Sequence, residues 1–128
     1  AFCDANTDAA DEQFTSALKA YKDEWLELSL KIGEKAMQNP DEAGAAAVDY
    51  LMYSGYVTLA YFWGRMAVLS RQKIAAAEGD TAFYEAKVMT ARFYFDRLLP
   101  RTLAHKQALL SGAENLMDMP DALFDVAG

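Results

Sequence analysis

The sequence predicts an all-α fold, an up-down bundle of three long helices plus a short C-terminal helix. Three observations predict it. Apolar residues recur in steps of three and four along most of the chain. Glycine, proline and capping residues gather at a few breaks between those periodic stretches. No segment alternates apolar and polar residues as a half-buried strand would. At 128 residues the chain has the length of a single domain, spanning residues 1–128. A domain of that size can bury a core without disulfides.

The first long segment runs from about Asp8 to Gln38. Phe14, Leu18, Tyr21, Trp25, Leu28 and Ile32 follow one another by fours and threes, which lines one face of a helix. Leu26 and Leu30 widen that stripe. Lys19, Lys22, Asp23, Glu27, Lys31 and Glu34 occupy the other side, and Glu27 with Lys31 is a favourably oriented pair four residues apart. The pattern is that of a surface helix with one buried face, and it makes Trp25 a core residue.

Asn39-Pro40-Asp41-Glu42 starts the second helix at Pro40: an Asn cap, proline at the first helical position, and carboxylates near the positive end of the helix dipole. This helix should reach about Ala77. Between Ala43 and Leu69 only Asp49 and Arg65 carry charge. Val48, Met52, Gly55, Leu59, Phe62, Met66 and Leu69 form one apolar stripe. Tyr53, Val57, Ala60, Gly64 and Ala67 form a second, with Trp63 another predicted core residue. A helix apolar around most of its girth is either a membrane span or a buried central helix. The two charges, Ser54, Thr58 and the tyrosines at 50, 53, 56 and 61 argue against a span. The sequence therefore assigns the first stripe to the bundle interior. It offers the second, with its small residues at Ala60, Gly64 and Ala67, to a close-packing partner.

Glu78-Gly79-Asp80-Thr81 marks the next break, with glycine ending one helix and Asp80 or Thr81 capping another. Tyr84, Val88, Ala91, Phe95, Leu98 and Thr102 share a face of the third helix. Pro100 removes one backbone donor inside this pattern, so the helix either kinks there or stops near Leu99. Leu103, Ala104, Ala108 and Leu109 keep the period going, which favours a kink and continuation to Leu110. Gly112 ends it. Ala113 to Met119 makes the short fourth helix before Pro120, and a tail follows.

Composition excludes several functions. Twelve basic residues against nineteen acidic ones leave a net charge of −7, the wrong sign for a nucleic acid or an anionic membrane. Cys3 is the only cysteine, so no internal disulfide or thiolate metal site is expected. The first residues lack a basic stretch followed by an apolar one, so no signal peptide is expected and a cytoplasmic location is.

Catalytic constellations are equally sparse. A di-metal bundle needs Glu-x-x-His pairs, but His105 is the only histidine and Thr102 stands three residues before it. His105 near a helix C-terminus reads as a surface residue favoured by the dipole. No P-loop or dinucleotide-binding glycine motif occurs. Phe93-Tyr94-Phe95 could stack a flavin or a base, but consecutive helical residues point three ways, which favours core packing. Asp49 could be a perturbed acid, although a dipole-facing carboxylate or a partner of Arg65 or another basic residue is the simpler reading. Arg92, Arg97 and Arg101 could touch an anion, but Arg92 with Asp96 makes an ordinary intrahelical pair. No catalytic, cofactor-binding or metal-ligating residue is assigned, and the candidate packing or interface residues are Tyr53, Val57, Ala60, Trp63, Gly64 and Ala67.

The stretches from Tyr50 to Ala67 and from Phe83 to Arg101 together resemble the extra C-terminal helical domain of the larger bacterial acyl-CoA dehydrogenases. Lys87, Thr90, Ala91, Arg92, Phe93, Leu98, Leu99 and Pro100 carry the resemblance, with Gly55 and Trp63. It implies the C-terminal part of a longer FAD-dependent oxidoreductase of fatty acid metabolism, which desaturates an acyl-CoA thioester at its α,β bond. In that family a glutamate base and most flavin contacts lie in a preceding catalytic body. This chain alone is accordingly expected to bind no FAD and to be inactive, bracing the body or an oligomer. Two other readings stand beside it. One is a free-standing helical interaction module. The other is a small-ligand bundle with Tyr53, Tyr56 and Trp63 lining a pocket.

Overall fold

A computed structural model describes residues 1–125. Among these residues every regular element is helical. The order is α1 (Phe2–Ala5), α2 (Glu12–Gln38), α3 (Asp41–Ala75), α4 (Thr81–Phe93), α5 (Thr102–Leu109) and α6 (Glu114–Met117). A single-turn 3-10 element, Asp121–Leu123, lies in the expected tail. α1, a four-residue turn too short to show a period, was not anticipated.

The predicted breaks work as local chemistry requires. The Asn39 side chain accepts the Asp41 N–H at 3.1 Å, capping α3. Asp80 accepts from Ala82 and Phe83 at the start of α4. Gly79 takes a φ of +75° in the intervening turn, a conformation open to glycine at little cost. Pro100 neither ends the helix nor leaves it regular. Ahead of it, Tyr94–Leu98 widens into a π turn in which the Leu99 N–H reaches the Tyr94 carbonyl. Leu99–Arg101 then tightens into a 3-10 turn before α5 resumes. The missing proline donor is absorbed by these two adjustments, and Thr102 Oγ1 supplies a 2.6 Å bond to the Leu99 carbonyl.

α3 is the central helix, and α2, α4 and α5 all pack against it. Three core layers stack along it. Leu28, Ala46, Tyr53, Val57 and Leu109 form one, Leu18, Ala60, Tyr94 and Leu99 the next, and Phe14, Ala67 and Ala91 the third. The pairing of Leu28 with the start of α3 and Phe14 with its end gives the antiparallel course. Trp25 and Trp63 are only partly buried, at the edges of these layers.

This core reverses the assignment of the two stripes of α3. Tyr53, Val57, Ala60, Gly64 and Ala67 are buried inside the chain and not offered to a partner. Val48, Met52, Leu59, Phe62 and Leu69 are exposed, as is Leu51 beside them. The physical reason is size. α2 and α4 can approach α3 closely only where its side chains are small, and Phe14, Leu18, Tyr94 and Leu99 then fill the space. At Gly64 the fit is so close that a Cβ would lie 2.8 Å from Leu18 Cδ1. Leu26 and Leu30 also face outward, so the buried stripe of α2 is narrower than its sequence suggests.

Candidate functional site

The outer face of α3 is the most distinctive surface of the molecule. From Val48 to Leu69, which is about 32 Å of helix at 1.5 Å per residue, it presents Val48, Leu51, Met52, Leu59, Phe62 and Leu69. Val48 and Leu51 are 72% and 70% exposed, and Leu59, Phe62 and Leu69 each about half. The charged residues within this span lie on the flanks. Asp49 is bound to His105, and the Arg65 guanidinium lies 5.5 Å over the Tyr61 ring. Monomeric soluble proteins rarely leave an apolar row of this length uncovered.

Behind that face, a polar clamp fixes the helices that hold it. Glu24 of α2 accepts a 2.6 Å hydrogen bond from the Tyr53 hydroxyl of α3 and another from the Lys106 ammonium of α5. One half-buried carboxylate thus ties three helices together. Burial, with the Glu24 hydrogen bond second, pushes the Tyr53 hydroxyl well above the ordinary tyrosine range. Its bond to Glu24 raises the Lys106 ammonium as well. Burial, followed by the neighbouring Tyr56, pushes Tyr94 up to about 12. Tyr94 donates to the Tyr56 carbonyl at 2.9 Å. Tyr50 completes the clamp, receiving the Trp25 indole N–H at 3.2 Å and sharing a 2.7 Å bond with Ser29.

His105 is not the free surface residue its sequence position suggests. Its Nδ1 lies 2.8 Å from Asp49 Oδ1, and its ring stacks on Tyr56 at 5.8 Å between centroids. Asp49 has therefore found a basic partner, although not Arg65. An imidazole held by a carboxylate is the rear half of a proton relay, but a relay also needs a nucleophile or substrate group in front. The partners seen here, a carboxylate and a phenol ring, pin α5 to α3 instead. The intrahelical Arg92–Asp96 pair does not form among the described residues. Arg92 instead lines a shallow cleft with Arg71 and Glu85, and Arg71 is already committed to Asp11 at 3.1 Å and to the Ala10 carbonyl.

The residues proposed to line a ligand pocket do not converge. Tyr53 is fully buried in the Glu24 clamp, Tyr56 stacks on His105, and Trp63 stacks on Tyr94. A cleft of about 410 Å³ lies elsewhere, between α1, α2 and α3, walled by Phe2, Leu18, Trp25, Val57 and Tyr61. The aromatic run gives no flat platform for a flavin either. Phe93 points outward, Tyr94 enters the core, and Phe95 packs edge-on against Phe14 with centroids 5.1 Å apart. Among the described residues no group of three His, Cys, Asp or Glu side chains is placed to hold a metal. No helix among the described residues is long and apolar enough to cross a membrane.

Sequence reasoning missed the outer face because both stripes of α3 are apolar and only their sizes differ. It missed Asp49–His105 and Glu24–Lys106 because these partners are 56 and 82 residues apart. Only the isolation of Asp49 in an apolar run signalled that it needed a partner.

The family described as acetyl-CoA dehydrogenase C-terminal like has a model that matches residues 1–120. Among curated proteins no match to the chain is found.

Proposed function

The chain belongs to the acetyl-CoA dehydrogenase C-terminal-like family, and from that premise we propose that it is the accessory C-terminal domain of an FAD-dependent acyl-CoA dehydrogenase. In this reading the chain is part of a longer cytoplasmic protein whose preceding body binds the flavin and desaturates an acyl-CoA thioester. This domain supplies no catalytic group. It braces the enzyme through the outer face of α3, against the body or within an oligomer. The observation that carries the docking role is the uncharged run of large side chains from Val48 to Leu69, left exposed although the chain has filled its own core.

The residues present do not fit a flavin, so no step of the oxidation is assigned to them. Glu24, Asp49 and Glu42 are each engaged in holding helices together, which leaves none of them set up as a base for an α proton. The domain's contribution is a rigid shape.

The test is made on the complete enzyme. Leu51→Glu and Phe62→Glu place charges on the outer face without touching the core. Each should lower the melting temperature and the retained flavin of the holoenzyme while leaving the melting of the 128-residue chain, taken at high dilution, unchanged. A holoenzyme indifferent to both substitutions would remove the bracing role.

A further inference from the structure

We infer that the outer face of α3 is occupied by the same face of a second copy, running antiparallel and centred near Val57. The inference rests on the reading of this face as an interface and adds what covers it. Three observations point to a second copy.

The first is charge. The outward positions from Gly44 to Leu69 carry none, and the stripe is bracketed by Asp41 at one end and Lys73 at the other. At 100° per residue both ends project to the side shared by Val48, Gly55, Leu59 and Met66. The four charged residues between them are engaged on the flanks or the inner side. Glu42 holds the Ala113 N–H, Asp49 holds His105, Arg65 covers Tyr61, and Arg71 holds Asp11. A parallel partner would set Asp41 on Asp41 and Lys73 on Lys73. An antiparallel one sets each Asp41 opposite a Lys73, twice, by the same two-fold axis. Lys73 can serve this role while it reaches Glu78 of its own chain, since an ammonium has three donors.

The second is shape. In that register Gly55 of one copy faces Leu59 of the other, and Met52 faces Phe62. A Cβ placed on Gly55 would meet nothing within 4 Å in its own chain. Gly55 is therefore an open notch in a row of large side chains, and Leu59 one turn away is a knob of matching size.

The third is area. Six large apolar side chains, each exposed by two-fifths or more, hold on the order of 600 Å² per copy, so pairing two copies would cover roughly 1,200 Å², the lower bound of a specific interface. A chain of net charge −7 that meets its own copy must do so where the charge is missing, and this is that surface.

The experiment is sedimentation velocity on the chain across a roughly hundred-fold range of concentration, with Gly55→Leu and Phe62→Glu alongside. Wild type should pass from monomer to dimer. Both variants should weaken the dimer by about tenfold or more, and circular dichroism melting of the dilute monomers should show Phe62→Glu as stable as wild type and Gly55→Leu at least as stable, through its gain in helix propensity. Direction is read by cross-linking in a Cys3→Ser background. The double variant Met52→Cys/Phe62→Cys should form a disulfide-linked dimer on oxidation, and Met52→Cys alone should not. A chain that stays monomeric throughout overturns the pairing, even if the outer-face charges still destabilise the holoenzyme. So does a dimer unmoved by Phe62→Glu. Cross-linking through Met52→Cys alone overturns the antiparallel arrangement.

Discussion

The two faces of α3 have nearly the same hydrophobicity and opposite fates. The inner face is built from Ala46, Tyr53, Val57, Ala60, Gly64 and Ala67 and is sealed by α2, α4 and α5. The outer face carries the larger side chains, Leu51, Met52, Leu59, Phe62 and Leu69, and is left in solvent. Area alone would bury the larger set, because transfer free energy grows with apolar surface. Close packing decides otherwise. Apart from Tyr53, whose hydroxyl is taken up by Glu24, the residues beneath the packed helices are small, and each helix then gains dispersion contacts along its whole length. In a helix apolar all round, the buried side is chosen by size.

The largest expected effect compares one phenylalanine on each side of that divide. Phe14 of α2 is fully buried against the inner face, beside Ala67 and Phe95. Phe14→Ala should cost about 3–5 kcal/mol, the range for truncating a buried aromatic. Phe62→Ala should cost less than about 1 kcal/mol in the same chain, since half of that ring is already in water. Urea titration of the two variants reads both values. Equal losses would mean that the two faces share the core.

Glycine gives the next contrast. At Gly64 a Cβ meets Leu18 at 2.8 Å, with Phe14 and Phe95 close behind. Gly64→Leu should therefore cost about 3 kcal/mol or more by overpacking. Thermal melts should show the loss in the monomer itself, which places Gly64 in folding and not in association.

The polar clamp offers a third test, through pH. Tyr53 and Tyr94 both titrate higher in the folded chain than a free tyrosine, and burial is the main cause in each case. A raised folded value means that the native state holds its proton more tightly than the unfolded chain does. The stabilisation is complete below about pH 10, the unfolded tyrosine value, and is lost as pH rises above it. The unfolding midpoint should fall steadily from about pH 10 upward, and Tyr53→Phe should flatten that fall. It should also lower stability at neutral pH by about 1 kcal/mol through the lost Glu24 hydrogen bond. An alkaline limb of unchanged slope in Tyr53→Phe would mean that other groups set it.

These contrasts also show how far the sequence could be read. The helices, their breaks and the continuation past Pro100 follow from period, caps and a missing donor, all of which are local. Beyond Ala91 the period reads less well, since it places Phe95 and Leu98 on the shared face, whereas the π turn ahead of Pro100 seats Tyr94 and Leu99 in the core and leaves Phe95 and Leu98 half-buried. The inside and outside of α3 do not follow from the period either, because periodicity scores apolarity and ignores volume. The clamp residues Glu24, Tyr53 and Lys106 look like ordinary surface or core positions until three helices converge on them. The resemblance to a family's accessory domain was legible in motif, whereas the exposed apolar face of α3 was legible only in three dimensions.

The smallest effect tests the outer face at its centre. Gly55 lies in the interior of a 35-residue helix, where glycine is costly, and nothing in the chain approaches the space a side chain would take. Gly55→Ala should then stabilise the isolated monomer by about 0.5–1 kcal/mol, the usual gain in helix propensity. At this chain length that is a rise of roughly 2–5 °C in Tm. The measurement must be made at low concentration, where no second copy contributes. A lowered Tm would mean that some part of the chain covers the notch, and the outer face would no longer be open. A raised Tm leaves the glycine unexplained by folding, so that its place in the middle of the apolar stripe has to be accounted for by what approaches from outside.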